Sequence, residues 1–185
     1  MIRACTMHFT GLSPYSPSRA HEEPKLKGET HEDYEERTWP LKAHVVGEHA
    51  VIPPMAFKMA LDRAAKISGK QIPGRGKATY TKFFEAGVLV LEATPVALVA
   101  EMECERVHAN ADGVRGSGKR VWRRFPKWSR WGGAVRFEVI APEITKDVFE
   151  ETARLAAVSV GVGRFRPASG GYFGRWSPDR FVWSA

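Results

Sequence analysis

Between Gly161 and Trp176 the chain packs five glycines, three arginines, a proline and four aromatic residues into sixteen positions. Glycine admits backbone with φ > 0 and lets the chain come close to a ligand. Arginine supplies charge and a planar fork that matches phosphate oxygens. Phe165, Tyr172, Phe173 and Trp176 add flat apolar faces. The mixture predicts a loop that holds a sugar–phosphate backbone through Arg164, Arg166 and Arg175, assisted by N–H groups from Gly163 to Gly171. A turn between helix and strand is the plainer reading. Phe165, Tyr172 and Phe173 read more readily as core or sheet residues than as stacking platforms.

Upstream, periodicity orders the rest. Ile2 to Thr10 alternates as a strand, with Arg3, Cys5, Met7 and Phe9 on one side. Gly11 to Arg19 breaks it, and residues 11–50 read as a long polar excursion outside the core, with a short helix at His31 to Arg37. Lys42 to Val51 offers another strand. Pro53-Pro54 opens a helix from Met55 to Ser68, closed by Gly69, with Phe57, Ala60, Leu61, Ala64 and Ile67 on its apolar face. Thr79 to Phe84, Gly87 to Leu91 and Val96 to Cys104 read as strands, as does Gly133 to Ile140. Thr145 caps a helix running to about Val158, and Arg175 to Trp183 closes with a short strand or two. Reduced to its core this is β-α-β-β-α-β: an α+β, ferredoxin-like or RRM-like fold in a single domain over residues 1–185. Modules of that kind present an open antiparallel sheet to RNA.

Charge is unevenly spread. From Glu105 to Arg136 nine lysines and arginines face two acids, an excess equal to the whole chain's +7. Turn-rich Asn110 to Gly118 inside this stretch predicts a protruding basic hairpin, a thumb-like insertion over residues 105–132. Trp122, Phe125, Trp128 and Trp131 are interleaved with the charge, the pattern of a surface that stacks bases and neutralises phosphates. Its candidate contacts are Arg115, Lys119, Arg120, Trp122, Arg123, Arg124 and Lys127. His21 to Arg37 runs the other way, with seven acids against three Lys/Arg. Those acids read as a solvated face, or as a surface for the basic arm of a neighbouring copy.

Two segments carry a resemblance to the RAMP superfamily of CRISPR-associated proteins. Ile52-Pro53-Pro54-Met55-Ala56-Phe57-Lys58-Met59-Ala60-Leu61 is similar to that family's first-helix signature, with Lys58 at its basic position; Pro54-Met55-Ala56 replaces the usual glycine–serine pair. Gly161 to Gly174, after the second long helix, resembles the family's C-terminal glycine-rich loop. With the basic insertion, the chain most resembles the backbone subunit of multi-subunit effectors, though it is short for one. The resemblance implies binding of guide-like RNA along its backbone, a contact at Arg19 after the first strand, and assembly as a homo-oligomer or with other effector subunits. A phage or mobile-element inhibitor that mimics a subunit and docks on a CRISPR complex carries the same features. So does a metal-independent RAMP-type endoribonuclease, for which His8 and His21 are the candidates.

No catalytic constellation, metal set or cofactor motif is expected. Cys5 and Cys104 lack ligand spacing and read as reduced thiols of a cytoplasmic protein. Gly74-Arg75-Gly76-Lys77 fails as a phosphate-binding P-loop: Gln71 stands at the first glycine, Ala78 at the Ser/Thr, and strand-like residues follow. No apolar run reaches membrane-spanning length, and membrane partners are not expected.

Overall fold

A computed structural model of the chain describes residues 2–111, 116 and 118–184. The central strand is β1 (Arg3–Gly11). It pairs antiparallel on one side with β8 (Gly132–Val139) and on the other with β9 (Trp176–Ser184). Short β4 (Val88–Leu89) extends the sheet beyond β8, giving the order β4-β8-β1-β9. Cys5, Met7 and Phe9 alternate inward from β1, and Val135, Phe137 and Val139 from β8. Register places each inward row in line: Cys5 opposite Phe137, Met7 opposite Val135. The last segment is one nine-residue strand with a bulge opposite His8 and Phe9.

Two helices cover that face. Pro54 starts α2 (Pro54–Ser68) at a position whose missing N–H costs nothing, and Gly69 (φ 57°) ends it. Thr145 caps α4 (Lys146–Leu155) by accepting the Val148 N–H at 3.3 Å, and Asp147 sits in its first turn. The backbone then widens into a π-turn at Ala156–Val160 before Gly161. Phe57 lies edge-on to Phe9 (5.3 Å), Phe137 (6.5 Å) and Trp176 (5.5 Å), and Phe149 edge-on to Phe137 (5.2 Å). Burial of each such ring contributes roughly 1.5–3 kcal/mol. Ile67, expected on the apolar face, is 55% exposed in the helix's last turn.

Three local expectations are corrected. Thr79 to Phe84 is not a strand: α3 (Thr81–Gly87) occupies it. Tyr80, Phe84 and Val88 are the buried apolar side chains here, and their four-residue spacing is helical. A helix therefore does follow the Gly74–Lys77 turn, but Gln71 and Ala78 still exclude a P-loop. Val96 to Cys104 is broken by a 3₁₀ turn at Val99–Glu101. Its first part, β5 (Thr94–Leu98), joins β2 (Val45–Val46) and β3 (His49–Ile52) in a second sheet, and its second part begins a hairpin. That hairpin is β6 (Glu103–Asn110) paired antiparallel with β7 (Arg120–Lys127).

The polar stretch after β1 is not detached from the core. Tyr15 and Ser16 are buried, and Tyr15 exchanges two 2.9 Å backbone hydrogen bonds with Trp128. Helix α1 (His31–Thr38), close to its expected bounds, has a capping box between Thr30 and Asp33 and packs on β7. The chain thus has mixed α and β structure, with antiparallel sheets and four α-helices among the described residues. None of those helices is long and apolar enough to cross a membrane.

Candidate nucleic-acid interface

The four-stranded sheet leaves one face uncovered, with Thr6, His8, Ala134, Arg136, Arg180 and Val182 on it by register. Trp176, Phe181 and Trp183 all lie on the opposite, helix-covered side. The open face therefore lacks the aromatic platform that an RRM uses to stack bases.

Register sorts the hairpin into two faces. Arg106, His108, Trp122 and Arg124 share one, since Arg106 pairs with Arg124 and His108 with Trp122. Trp122 is 44% exposed, with the Arg106 guanidinium 4.2 Å from its ring and the His108 ring 4.9 Å away. The other face carries Glu105, Val107, Arg123 and Phe125. Lys119 and Arg120 are exposed near the hairpin's end, and Arg120 donates to the His108 carbonyl at 2.6 Å. Arg115 lies outside the described residues.

Several predicted cations have partners within the chain. Arg124 pairs with Glu36 and Arg106 with Glu32 (2.5 Å), so acids of α1 meet the chain's own basic arm. Arg123 donates to the Ala111 carbonyl, and Lys127 pairs with Glu103 at 3.1 Å. Beneath them Glu35 is buried. Its Oε2 accepts from Lys42 Nζ at 2.6 Å and from the Arg124 N–H at 2.7 Å, which fixes α1 to the hairpin. Trp128 and Trp131 are corrections: both are core residues, 1% and 5% exposed, with indole N–H groups satisfied by the Leu98 and Ser13 carbonyls. Phe125 is buried too, between Lys42 and Arg164. Of the interleaved aromatics only Trp122 is presented to solvent.

The glycine-rich loop turns back on the segment after β1. Gly163 (φ 79°) lies so close to the Ser16 carbonyl that a Cβ would come within 2.6 Å of it. At Gly174 (φ 68°) a Cβ would overlap the Val162 carbonyl oxygen. These glycines serve close approach of backbone to backbone within the chain. Arg164 joins loop and hairpin: its Nε donates to Ser16 Oγ at 2.8 Å, its guanidinium lies 4.1 Å from the Phe125 ring, and it faces the Glu105 carboxylate. Burial pulls its pKa down to about 10, which leaves it charged at neutral pH. Arg166 donates to the Gly163 carbonyl (2.8 Å), and Arg175 to those of Val158 (3.0 Å) and Tyr172 (3.2 Å). Phe165 is the one non-glycine residue with positive φ among the described residues, at 53°. It and Tyr172 are half exposed beside buried Phe173.

Between this loop and α2 opens a cleft of about 940 Å³, which Ser18, His44 and Arg164 also line. Arg19, next to Ser18, is exposed, and its N–H binds the Lys42 carbonyl. Lys58 does not reach solvent as expected: it is 7% exposed, its ammonium held by both Asp62 oxygens and the Phe84 carbonyl. Burial raises the Asp62 carboxyl above the usual range, against the pull of Lys58. The cations that do line the cleft from α2 are Arg63, which donates to the Ala168 carbonyl at 2.9 Å, and Lys66. Their signal was in the sequence: Met59, Arg63 and Lys66 fall on one helical face, turned away from Phe57, Leu61 and Ala64. His8 sits on the open sheet beside Arg180, and His21 against Tyr34; the histidine in the cleft is His44.

No protein-family model matches the chain, and no curated protein does. Among solved structures it is similar to Cmr6 from Pyrococcus furiosus, at 14% identity and a TM-score of 0.47 over 96% of this chain and 99% of that one. It is also similar to a chain of a CRISPR RNA-guided surveillance complex, at 11% identity and a TM-score of 0.36 over 94% of this chain and 66% of that one. Both neighbours are CRISPR proteins.

Proposed function

We propose that the chain binds single-stranded nucleic acid, guide-like RNA in particular, along its sugar–phosphate backbone, as a subunit of a CRISPR-effector-type assembly. One observation carries the reading: Arg164 lies at once in the glycine-rich loop, against the base of the hairpin and on the wall of the cleft, so these elements adjoin. A strand laid there meets Arg166, Arg63 and Lys66 along the cleft, then passes round the exposed end of the thumb-like hairpin, over Lys119 and Arg120, to the Trp122–Arg106 stack on the face away from Arg164. The strand order β4-β8-β1-β9, with α2 and α4 on one face, supports the ferredoxin-like reading of the core. Reversing charge at Lys119 and Arg120 together should lower affinity for a labelled single-stranded RNA at least tenfold and flatten its dependence on salt, by about 0.7 in log–log slope for each phosphate no longer neutralised. Unchanged affinity, or no binding of either RNA or single-stranded DNA, refutes the proposal. Light scattering with and without oligonucleotide tests homo-oligomerisation, and a monomer in both conditions rules it out.

His44 in the cleft favours a second reading, metal-independent RNA cleavage. Burial and the nearby Arg19 charge lower its pKa, leaving it neutral and able to accept a proton at pH 7. Chelator-resistant cleavage that disappears in His44→Ala establishes it; intact RNA after prolonged incubation removes it. The subunit-mimic reading instead predicts that the protein captures effector subunits free of nucleic acid, and a pull-down from nuclease-treated components tests that.

A further inference from the structure

The cleft between α2 and the glycine-rich loop is chemically divided. Met59 and Ile67 expose 58% and 55% of their surface there, although both are apolar. Asp62 and Glu85 bring two carboxylates to the same cavity. Lys66 and Arg166 bring cations. Glu85 is exposed on α3 and has no hydrogen-bond or ion-pair partner among the described residues; the same holds for Lys66. Asp62 is compensated by Lys58, but a phosphate beside the unpartnered Glu85 carboxylate is repelled, so a bound backbone keeps to Lys66 and Arg166. What the Glu85 carboxylate and the apolar side chains suit is a flat ring whose edge donates hydrogen bonds.

We propose that this cleft receives one unstacked base of the bound strand, and that Glu85 selects guanine. The proposal rests on the nucleic-acid reading above and names the base specificity of the same site. Guanine alone among the four bases offers two adjacent donors, N1–H and the N2 amino group, which a single carboxylate accepts in parallel. Adenine and cytosine offer one amino donor beside an acceptor, and that acceptor would face a carboxylate oxygen. Met59 and Ile67 supply the apolar contact for the ring. At about 940 Å³ the cleft admits a whole nucleotide and its neighbour's phosphate.

Anisotropy titrations with a short oligouridine carrying one central guanosine, inosine, adenosine or cytidine test this on the full chain. Guanosine should bind about tenfold more tightly than adenosine or cytidine, as one bidentate contact provides, with inosine between them because it lacks the N2 amino group. Glu85→Gln should bring the guanosine probe down to the all-uridine value while leaving the all-uridine affinity in place. Met59→Ser should weaken the guanosine probe without changing its salt slope. Equal affinity for all probes in the wild-type protein, or guanosine preference that survives Glu85→Gln, overturns the base pocket and leaves the backbone-binding proposal standing. Failure to bind any probe overturns both.

Discussion

A buried ion pair helps attach the hairpin to the body, and its removal has a calculable cost. The side chains of Lys42 and Glu35 are only 9% and 6% exposed. Glu35 Oε2 accepts two hydrogen bonds, and Lys42 Nζ gives a second one to the Arg124 carbonyl at 2.8 Å. Glu35→Ala leaves an ammonium in the interior without its counter-charge, a change that typically costs about 3–5 kcal/mol. The Arg124 N–H loses its acceptor in the same step, but that loss overlaps the first and does not add to it. Lys42 keeps the Arg124 carbonyl and the face of Phe125 at 4.6 Å, which moves the expectation to the lower end, about 3–4 kcal/mol.

For a chain of this size that is a fall of about 6–16 °C in Tm, and in urea a lower midpoint at unchanged slope. Glu35→Gln keeps an acceptor for the Arg124 N–H and should cost less, about 1.5–3 kcal/mol. The double variant Glu35→Leu with Lys42→Met removes both charges and should be more stable than either single change, with a coupling of at least about 2 kcal/mol. If Glu35→Ala costs under about 1 kcal/mol, or the two sites add without coupling, the pair is solvated and does not anchor the hairpin.

Other outcomes follow from burial. Trp128→Ala should cost about 3–5 kcal/mol by denaturation, whereas Trp122→Ala should stay within about 0.5 kcal/mol in stability and lose about 1–3 kcal/mol in oligonucleotide binding. Gly174→Ala should destabilise well beyond the roughly 1–2 kcal/mol of left-handed backbone alone, and Gly74→Ala, whose φ is 76° with nothing near its Cβ, by no more than that. Burial pushes the Cys5 thiol up to about 12, so a thiol reagent should titrate one cysteine, exposed Cys104, in the native protein and two in denaturant. His44 has a folded pKa below its ordinary 6.5, so the unfolded chain binds the extra proton. Stability should therefore fall as pH drops below 6.5, and His44→Gln should reduce that fall in a urea midpoint series.

How far the sequence disclosed this molecule depended on whether a residue's environment was local. The strands β1 and β8 and the helices α2 and α4 were legible because their apolar period, proline start and caps lie within a few residues of one another. α3 was missed because seven residues give barely two turns of period, and Phe83-Phe84 reads equally as strand. The basic hairpin was legible as charge and turns, yet what each side chain does there was not. Arg106 and Arg124 meet acids of α1 some seventy to ninety positions earlier, and nothing local to either segment announces that. The tryptophans show the same limit. Trp122 and Trp128 sit six residues apart in one basic stretch, but Trp128 lies just past the end of β7, where Tyr15 closes over it from the far end of β1. Composition alone places both on the surface. Long-range pairing decides which is buried, and it assigns the exposed stacking surface of the hairpin to a single indole.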